Sequence, residues 1–82
     1  MLTLELLGTQ GCHLCDDAQQ ILISALDLSK VQVELVDIAE SDALMQAYAT
    51  RIPVLRHVAT GNDLDWPFQE AQVQQFVACL KN

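Results

Sequence analysis

The sequence predicts a single α/β domain with the element order β-α-β-α-β-β-α and a four-stranded mixed sheet. Three observations predict this class. Two segments alternate apolar and polar residues, a helical apolar stripe lies between them, and a turn-forming segment follows Pro53. The chain has 82 residues, which is enough for one hydrophobic core. We therefore expect residues 1–82 to form one domain.

The first β-α-β unit is the most regular part of the pattern. Leucine at every second position predicts a strand over residues 2–7. Apolar residues spaced three and four apart then predict a helix over residues 13–28, and a second alternation predicts a strand over residues 31–38. Because a β-α-β connection is almost always a right-handed crossover, these two strands are expected to be parallel.

The second half of the chain predicts a short helix, a hairpin and a closing helix. Ser41 is a suitable N-cap for a helix that runs to Tyr48. Residues 54–58 are typical of a strand, and Gly61-Asn62 suits a two-residue hairpin turn, after which a fourth strand ends near residue 66. Apolar residues over 73–80 mark the closing helix.

The composition is that of a folded acidic protein. Hydrophobic residues make up 51% of the chain and charged residues 18%, and the formal net charge is −7. Nucleic acid and anionic membranes need clustered Lys and Arg, so neither is an expected partner. No positively charged leader and no apolar run of membrane-spanning length is visible, so a cytoplasmic location is expected. Lys81 is expected at the negative end of the last helix.

Cys12-His13-Leu14-Cys15 lies between the first strand and the first helix, and it is the motif with the clearest chemistry. A disulfide across so short a loop adds only about 2 kcal/mol of stability, which makes it a weak structural crosslink. A thiolate at a helix N-terminus, in contrast, meets free backbone N–H groups and the positive end of the helix dipole. The motif therefore indicates a redox-active dithiol.

The two cysteines have different expected roles, because their positions on the helix differ. Cys12 is expected to be the more exposed nucleophile, and Cys15 the resolving thiol that closes the disulfide. Asp16 lies one turn from Cys12, where its charge opposes a thiolate. Cys79, in the closing helix, is expected to be a small buried hydrophobe.

Together with Ile52-Pro53 before the hairpin, the motif resembles the glutaredoxin branch of the thioredoxin fold, and the bacterial Cys-His-Leu-Cys group in particular. The resemblance covers essentially the whole chain. It implies a thiol–disulfide oxidoreductase acting in electron transport and cell redox homeostasis. It also implies a cis bond before Pro53 and a substrate-docking role for Ile52. The position of Arg51 beside the proline strand makes it a candidate to meet a substrate carboxylate. Arg51 has an alternative role, which is to balance nearby acidic residues.

Two departures from that family concern glutathione. Neither Pro nor Tyr lies between the cysteines, and Trp66-Pro67-Phe68 stands where relatives usually have a Gly-Gly pair whose amides hold a glutathione carboxylate. No resident cofactor is expected, and glutathione is kept only as a candidate thiol cosubstrate. The expected partners are a disulfide-bearing protein or a small thiol substrate, together with a thiol reductant.

Two other function classes remain open from the sequence. The cysteine pair suits a metal or an iron–sulfur cluster, although a zinc site needs two more ligands and the chain offers only Cys79, His13 and His57 without paired spacing. Alternatively, the chain keeps the fold as a non-catalytic binding module that uses the groove beside Pro53. No resident metal is expected.

Overall fold

The computed structural model describes residues 2–80, and the expected element order is confirmed. The strands and helices, in chain order, are β1 (Leu2–Gly8), α1 (His13–Ala25), β2 (Val31–Asp37), α2 (Asp42–Tyr48), β3 (Val54–His57), β4 (Asp63–Asp65) and α3 (Glu70–Ala78). The strand order is β2-β1-β3-β4. β1 and β2 are parallel, and the other two pairs are antiparallel, so the sheet is mixed as expected. Lys81 lies outside the described residues.

The helices cover the two faces of the sheet unequally. Helices α1 and α3 pack on one face, where the larger of two hydrophobic clusters contains Leu2, Leu4, Leu6, Ala18, Leu22, Leu26, Val31, Leu55, Phe68 and Val73. The smaller cluster on the other face is built on Leu7, Ile38 and Val54 and receives Leu44 and Tyr48 from the short helix α2. Alternation along β1 explains the division, because successive side chains of a strand point to opposite faces.

The first helix is shorter than its apolar stripe predicts. It ends at Ala25 because Leu26 has extended dihedral angles, φ −109° and ψ 145°. Asp27 then accepts hydrogen bonds from the hydroxyl and the amide of Ser29, which favours a turn over another helical turn. These hydrogen bonds hold the pKa of Asp27 below its ordinary value.

The end of β2 and the start of α2 are close to expectation. β2 ends at Asp37, and a 3-10 turn over Ile38–Glu40 follows, because the Asp37 carboxylate accepts the Ala39 amide at 2.9 Å. Ser41 is the N-cap of α2, as predicted, and its hydroxyl accepts the Leu44 amide at 3.4 Å.

The predicted two-residue turn at Gly61-Asn62 is wrong. The His57 amide donates to the Asn62 carbonyl at 2.8 Å, and the Gly61 amide donates to the His57 carbonyl at 2.8 Å, so the loop spans residues 58–61. The imidazole of His57 is buried, and its Nδ1 lies 2.8 Å from Thr60 Oγ1. The loop is thus longer than predicted, and it supplies Thr60 as a polar partner for the buried His57 ring.

Arg51 ties the segment after α2 to strand β4. Its Nη2 lies 2.6 Å from Asp65 Oδ1 and 3.1 Å from Asp63 Oδ1, and its Nε donates to Asp65 Oδ2 at 3.3 Å. The guanidinium carbon lies 5.0 Å from the centroid of the Tyr48 ring. Hydrogen bonding, first to Asp65 and then to Asp63, raises the pKa of Arg51 above its ordinary value. This cluster is called the Arg51 clamp below.

We predict that Arg51→Ala lowers the free energy of unfolding by about 1 kcal/mol, because a bidentate ion pair with a stacked guanidinium exceeds an ordinary surface pair. Chemical denaturation at low and high salt measures the loss, which should shrink as salt increases. Lys30→Ala, which removes an exposed cation outside the clamp, is the matched control. Equal losses in the two variants would show that the clamp adds nothing beyond net charge.

Candidate active site: a disulfide at the start of the first helix

Cys12 begins α1 as its N-cap residue. Gly11 precedes it with φ 76°, a left-handed conformation that glycine adopts without strain and that turns the chain from β1 into the helix. Cys12 has extended angles, and its sulfur accepts the Cys15 amide at 3.1 Å. The sulfur thus does what a Ser or Asp oxygen does at most helix N-termini.

The Cys12 and Cys15 sulfurs are joined as a disulfide across the first helical turn, with a Cα–Cα distance of 5.2 Å. Cys12 is half-buried, whereas Cys15 is buried with 6% of its surface exposed. The expected difference in exposure between the two cysteines is therefore confirmed. An external reagent reaches the Cys12 sulfur more easily than the Cys15 sulfur.

Gly8, the last residue of β1, lies directly beneath the Cys15 sulfur. A Cβ atom added to Gly8 would lie 2.6 Å from Cys15 Sγ and 3.4 Å from Cys15 Cβ, which is too close for any side chain. The sequence predicts that the first strand ends at residue 7, and it indicates no role for Gly8 at the site. The available signal was a glycine at the end of a core strand, just before a pair of cysteines.

Pro53 is at the same end of the sheet as the disulfide. Leu7 of β1 pairs with Val54 of β3, so one step further along both strands brings Gly8 level with Pro53. The Ile52–Pro53 peptide bond is cis, which confirms what the resemblance implied, and Pro53 is buried. The fold therefore brings Cys12, Cys15 and Pro53 to one end of the two central strands.

The other two predicted site residues already have partners within the chain. The Ile52 amide donates to the Tyr48 carbonyl at 3.1 Å, so docking of a substrate by Ile52, which stays a prediction, has only its carbonyl oxygen to use. Arg51 is held in the Arg51 clamp by Asp63 and Asp65, which is the alternative role of balancing acidic residues. Contact between Arg51 and a substrate stays a prediction.

The Trp66-Pro67-Phe68 segment is tightly packed. Phe68 is fully buried, and its ring meets the Trp66 ring edge-to-face at a centroid distance of 5.0 Å. The Trp66–Pro67 bond is also cis, which the sequence did not predict. The Trp66 amide donates to the Pro53 carbonyl at 3.2 Å, so this amide is used within the protein.

The remaining candidate residues are on the surface. His13 and Asp16 are exposed, and the Asp16 amide donates to the Cys12 carbonyl at 3.4 Å, which puts Asp16 one helical turn from Cys12. The expectation that Cys79 is buried is wrong: Cys79 is exposed at the C-cap of α3, off the face on which Val73 and Phe76 pack against the core. Within residues 2–80, no three His, Cys, Asp or Glu side chains lie close enough to hold a metal ion. No helix in that range is long and apolar enough to cross a membrane.

Solved structures with this fold are known. The X-ray structure of Northeast Structural Genomics target protein XcR50 from X. campestris matches with a TM-score of 0.83 and 35% identity, covering 95% of this chain and 99% of that one. Its solution structure matches at 0.81 and 34% identity, covering 100% and 99%. Protein Ne2328 from Nitrosomonas europaea matches at 0.76 and 24% identity, covering 92% and 89%, and shows the fold alone. No curated protein matches this chain.

We predict that Gly8→Ala lowers the free energy of unfolding by about 1–3 kcal/mol, because the new methyl group overlaps the Cys15 sulfur. The matched control is the same substitution in a Cys15→Ala background, where the sulfur is absent and the loss should fall to less than half. Denaturant unfolding of all four proteins under reducing conditions measures both values. An equal loss in the two backgrounds would contradict the contact.

The strand order, the cis proline and the position of the cysteine pair all agree with the resemblance drawn from the sequence. The family model described as "Glutaredoxin-like domain (DUF836)" matches residues 3–78, which is nearly the whole chain. The solved structures confirm the thioredoxin-like arrangement of a mixed four-stranded sheet and three helices. The chain belongs to the glutaredoxin-like family.

Proposed function

We propose that this protein is a thiol–disulfide oxidoreductase in which Cys12 is the nucleophile and Cys15 the resolving thiol. One observation carries the proposal. The two sulfurs form a disulfide at a helix N-terminus, with the more exposed sulfur, that of Cys12, accepting the Cys15 amide at 3.1 Å. The same N–H group can stabilise a thiolate at Cys12 after the disulfide is reduced.

The reductive direction begins with the dithiol form. The Cys12 thiolate attacks one sulfur of a substrate disulfide, which forms a mixed disulfide and releases the other substrate sulfur as a thiolate that takes a proton from water. Cys15 then loses its proton to solvent and attacks the Cys12 sulfur. The second substrate thiol leaves, the Cys12–Cys15 disulfide forms, and two electrons have passed from the protein to the substrate.

An external thiol donor completes the cycle. Two equivalents of a small thiol, or one protein dithiol, reduce the Cys12–Cys15 disulfide by the same two exchange steps in reverse, and the donor leaves as a disulfide. Glutathione remains a candidate donor. We favour a protein dithiol instead, because the Trp66 amide already donates to the Pro53 carbonyl and Pro67 has no N–H group to offer a glutathione carboxylate.

We propose that the substrate binds at the end of the sheet that carries Pro53. Its neighbour Ile52 offers a carbonyl oxygen to an N–H group of a bound disulfide-bearing chain, and no resident cofactor is needed for the exchange. A cytoplasmic location suits a dithiol that is kept reduced between turnovers, and there the protein would contribute to electron transport and redox homeostasis.

We predict that Cys12→Ser reduces disulfide-reductase activity to the rate of the uncatalysed exchange, because the attacking sulfur is lost. Cys15→Ser keeps the first step and accumulates a mixed disulfide at Cys12, which mass spectrometry detects. The control is Cys79→Ser, which removes an exposed thiol outside the site and leaves turnover unchanged. Full activity in Cys12→Ser would exclude the proposed mechanism.

The same set of variants separates the proposal from a non-catalytic binding module. Such a module predicts that Cys12→Ala/Cys15→Ala retains the biological function of the wild-type chain. An oxidoreductase predicts that the double variant loses it, since no sulfur remains to exchange. A genetic complementation assay with both proteins at equal abundance measures the difference.

We also predict that Asp16→Asn speeds the reaction of Cys12 with iodoacetamide by a few-fold at neutral pH. A charge of the same sign one turn away opposes the thiolate by on the order of 1 kcal/mol, and the substitution removes it. The effect should decrease at high salt. The control is Asp17→Asn, which makes the same change in charge on another face of the helix. Equal acceleration by both variants would show that the effect comes from net charge and not from the position of Asp16.

A further inference from the structure

A continuous groove leads away from the disulfide between α1 and β2. Its upper part, about 310 Å³ in volume, borders Cys15 and Gly8. Its lower part, about 160 Å³, lies between the second half of α1 and β2. Gln19 and Leu35 line both parts, so the two depressions join into one surface. We call this surface the β2 groove.

The lower part of the β2 groove is apolar and uncovered. Leu35 is 63% exposed, Ile23 57% and Leu28 52%, and all three line it. Adjacent exposed aliphatic side chains of this kind are uncommon on a small domain and mark contact sites. None of these three side chains belongs to the larger hydrophobic cluster, in which Leu22 of α1 fills the space above the sheet.

Strand β2 gives the groove a free backbone edge. It is the first strand in the sheet order, and within residues 2–80 no strand pairs with its outer side. Alternate residues of an edge strand present unpaired N–H and C=O groups, which natural proteins usually protect with charge. On β2, Gln32 and Glu34 point to the opposite face, Leu35 points to the groove, and the charged Asp37 lines the groove only at the end of the strand. An extended chain can therefore add to this edge.

The charge of the upper part of the β2 groove favours a basic partner segment. Asp37 and Glu40 line it beside the disulfide, and no Lys or Arg is among its lining residues. Arg51 is the cation closest to Pro53 in the sequence, and it is already bound to Asp63 and Asp65 in the Arg51 clamp. The whole chain carries a charge of −7, so a second copy on this edge would bring like charges together, whereas a basic segment is attracted.

We propose that the β2 groove is the docking site for an extended segment of a disulfide-bearing partner protein. The segment adds to the edge of β2, places aliphatic side chains against Ile23, Leu28 and Leu35, and places a basic side chain near Asp37 and Glu40. The docking site adds a substrate class to the proposed function. It rests on that function only for the reduction of the partner's disulfide. Docking itself requires no exchange.

The first experiment compares reduction rates. Two synthetic peptides, one alternating leucine with lysine and one alternating leucine with glutamate, each carry a terminal cysteine in a mixed disulfide. The rate with 2-hydroxyethyl disulfide, which is too small to occupy the groove, normalises for changes at the cysteines. The wild type should prefer the lysine peptide, and Leu35→Ser should lower the normalised kcat/KM for it by about tenfold, because an aliphatic contact is lost.

The controls make this result specific. Val58→Ser removes an exposed aliphatic side chain in the β3–β4 loop, away from the groove, and should leave the normalised rate unchanged. Glu40→Gln should narrow the preference for the lysine peptide over the glutamate peptide. An unchanged rate in Leu35→Ser, or equal rates with the two peptides in the wild type, overturns the proposal.

A binding experiment without chemistry separates docking from catalysis. The Cys12→Ser/Cys15→Ser protein is titrated with a cysteine-free lysine peptide, and amide chemical shifts are followed by NMR. Shifts confined to the second half of α1, Leu28, β2 and the 3-10 turn that holds Glu40 support docking even if no disulfide is ever turned over. Shifts at β4, no shifts, or a dimer that Leu35→Ser dissociates all overturn it.

Discussion

The packing of the Cys15 sulfur on the backbone of Gly8 is the contact on which the site depends. It joins the first turn of α1 to the end of the central strand β1, so it sets the distance between helix and sheet where the disulfide lies. Cys12, as N-cap, then lies at the same end of the sheet as Pro53, which comes directly before β3. A side chain at Gly8 would separate these elements because protein interiors have little free volume.

The second property of the site is the negative charge around it. The chain has few cations, and the Arg51 clamp already binds one of them, while acidic side chains such as Asp16, Asp37 and Glu40 lie close to the cysteines or line the β2 groove. Anionic ligands are therefore repelled from the end of the sheet where exchange is proposed. In the segment before α3, the Trp66 amide already donates to the Pro53 carbonyl, so it is not free to hold a carboxylate. Both features agree with the proposal of a basic protein partner.

Most of the fold was predictable because its signals are local. Alternation in β1 and β2, the helical stripe of α1 and the Ser41 cap each depend on neighbours within a few residues. The errors came where the burial of a side chain, which depends on the packed fold, decides the outcome. The β3–β4 loop is longer than its Gly61-Asn62 turn signal because the buried His57 ring needs Thr60. Cys79 is exposed because it lies off the face of α3 on which Val73, Phe76 and Val77 pack against the core.

The sequence by itself determined the class of the fold, the position of the cysteine pair at a helix start and the difference in exposure between Cys12 and Cys15, because these follow from periodicity and from capping chemistry. Only the tertiary structure decided which groups are left free. It bound Arg51 within a clamp, used the Ile52 amide inside the chain and left the edge of β2 open beside the disulfide. The clamp and the open edge depend on strand order and register, which bring together residues that are far apart along the chain, whereas the Ile52 amide is used by the turn that follows α2.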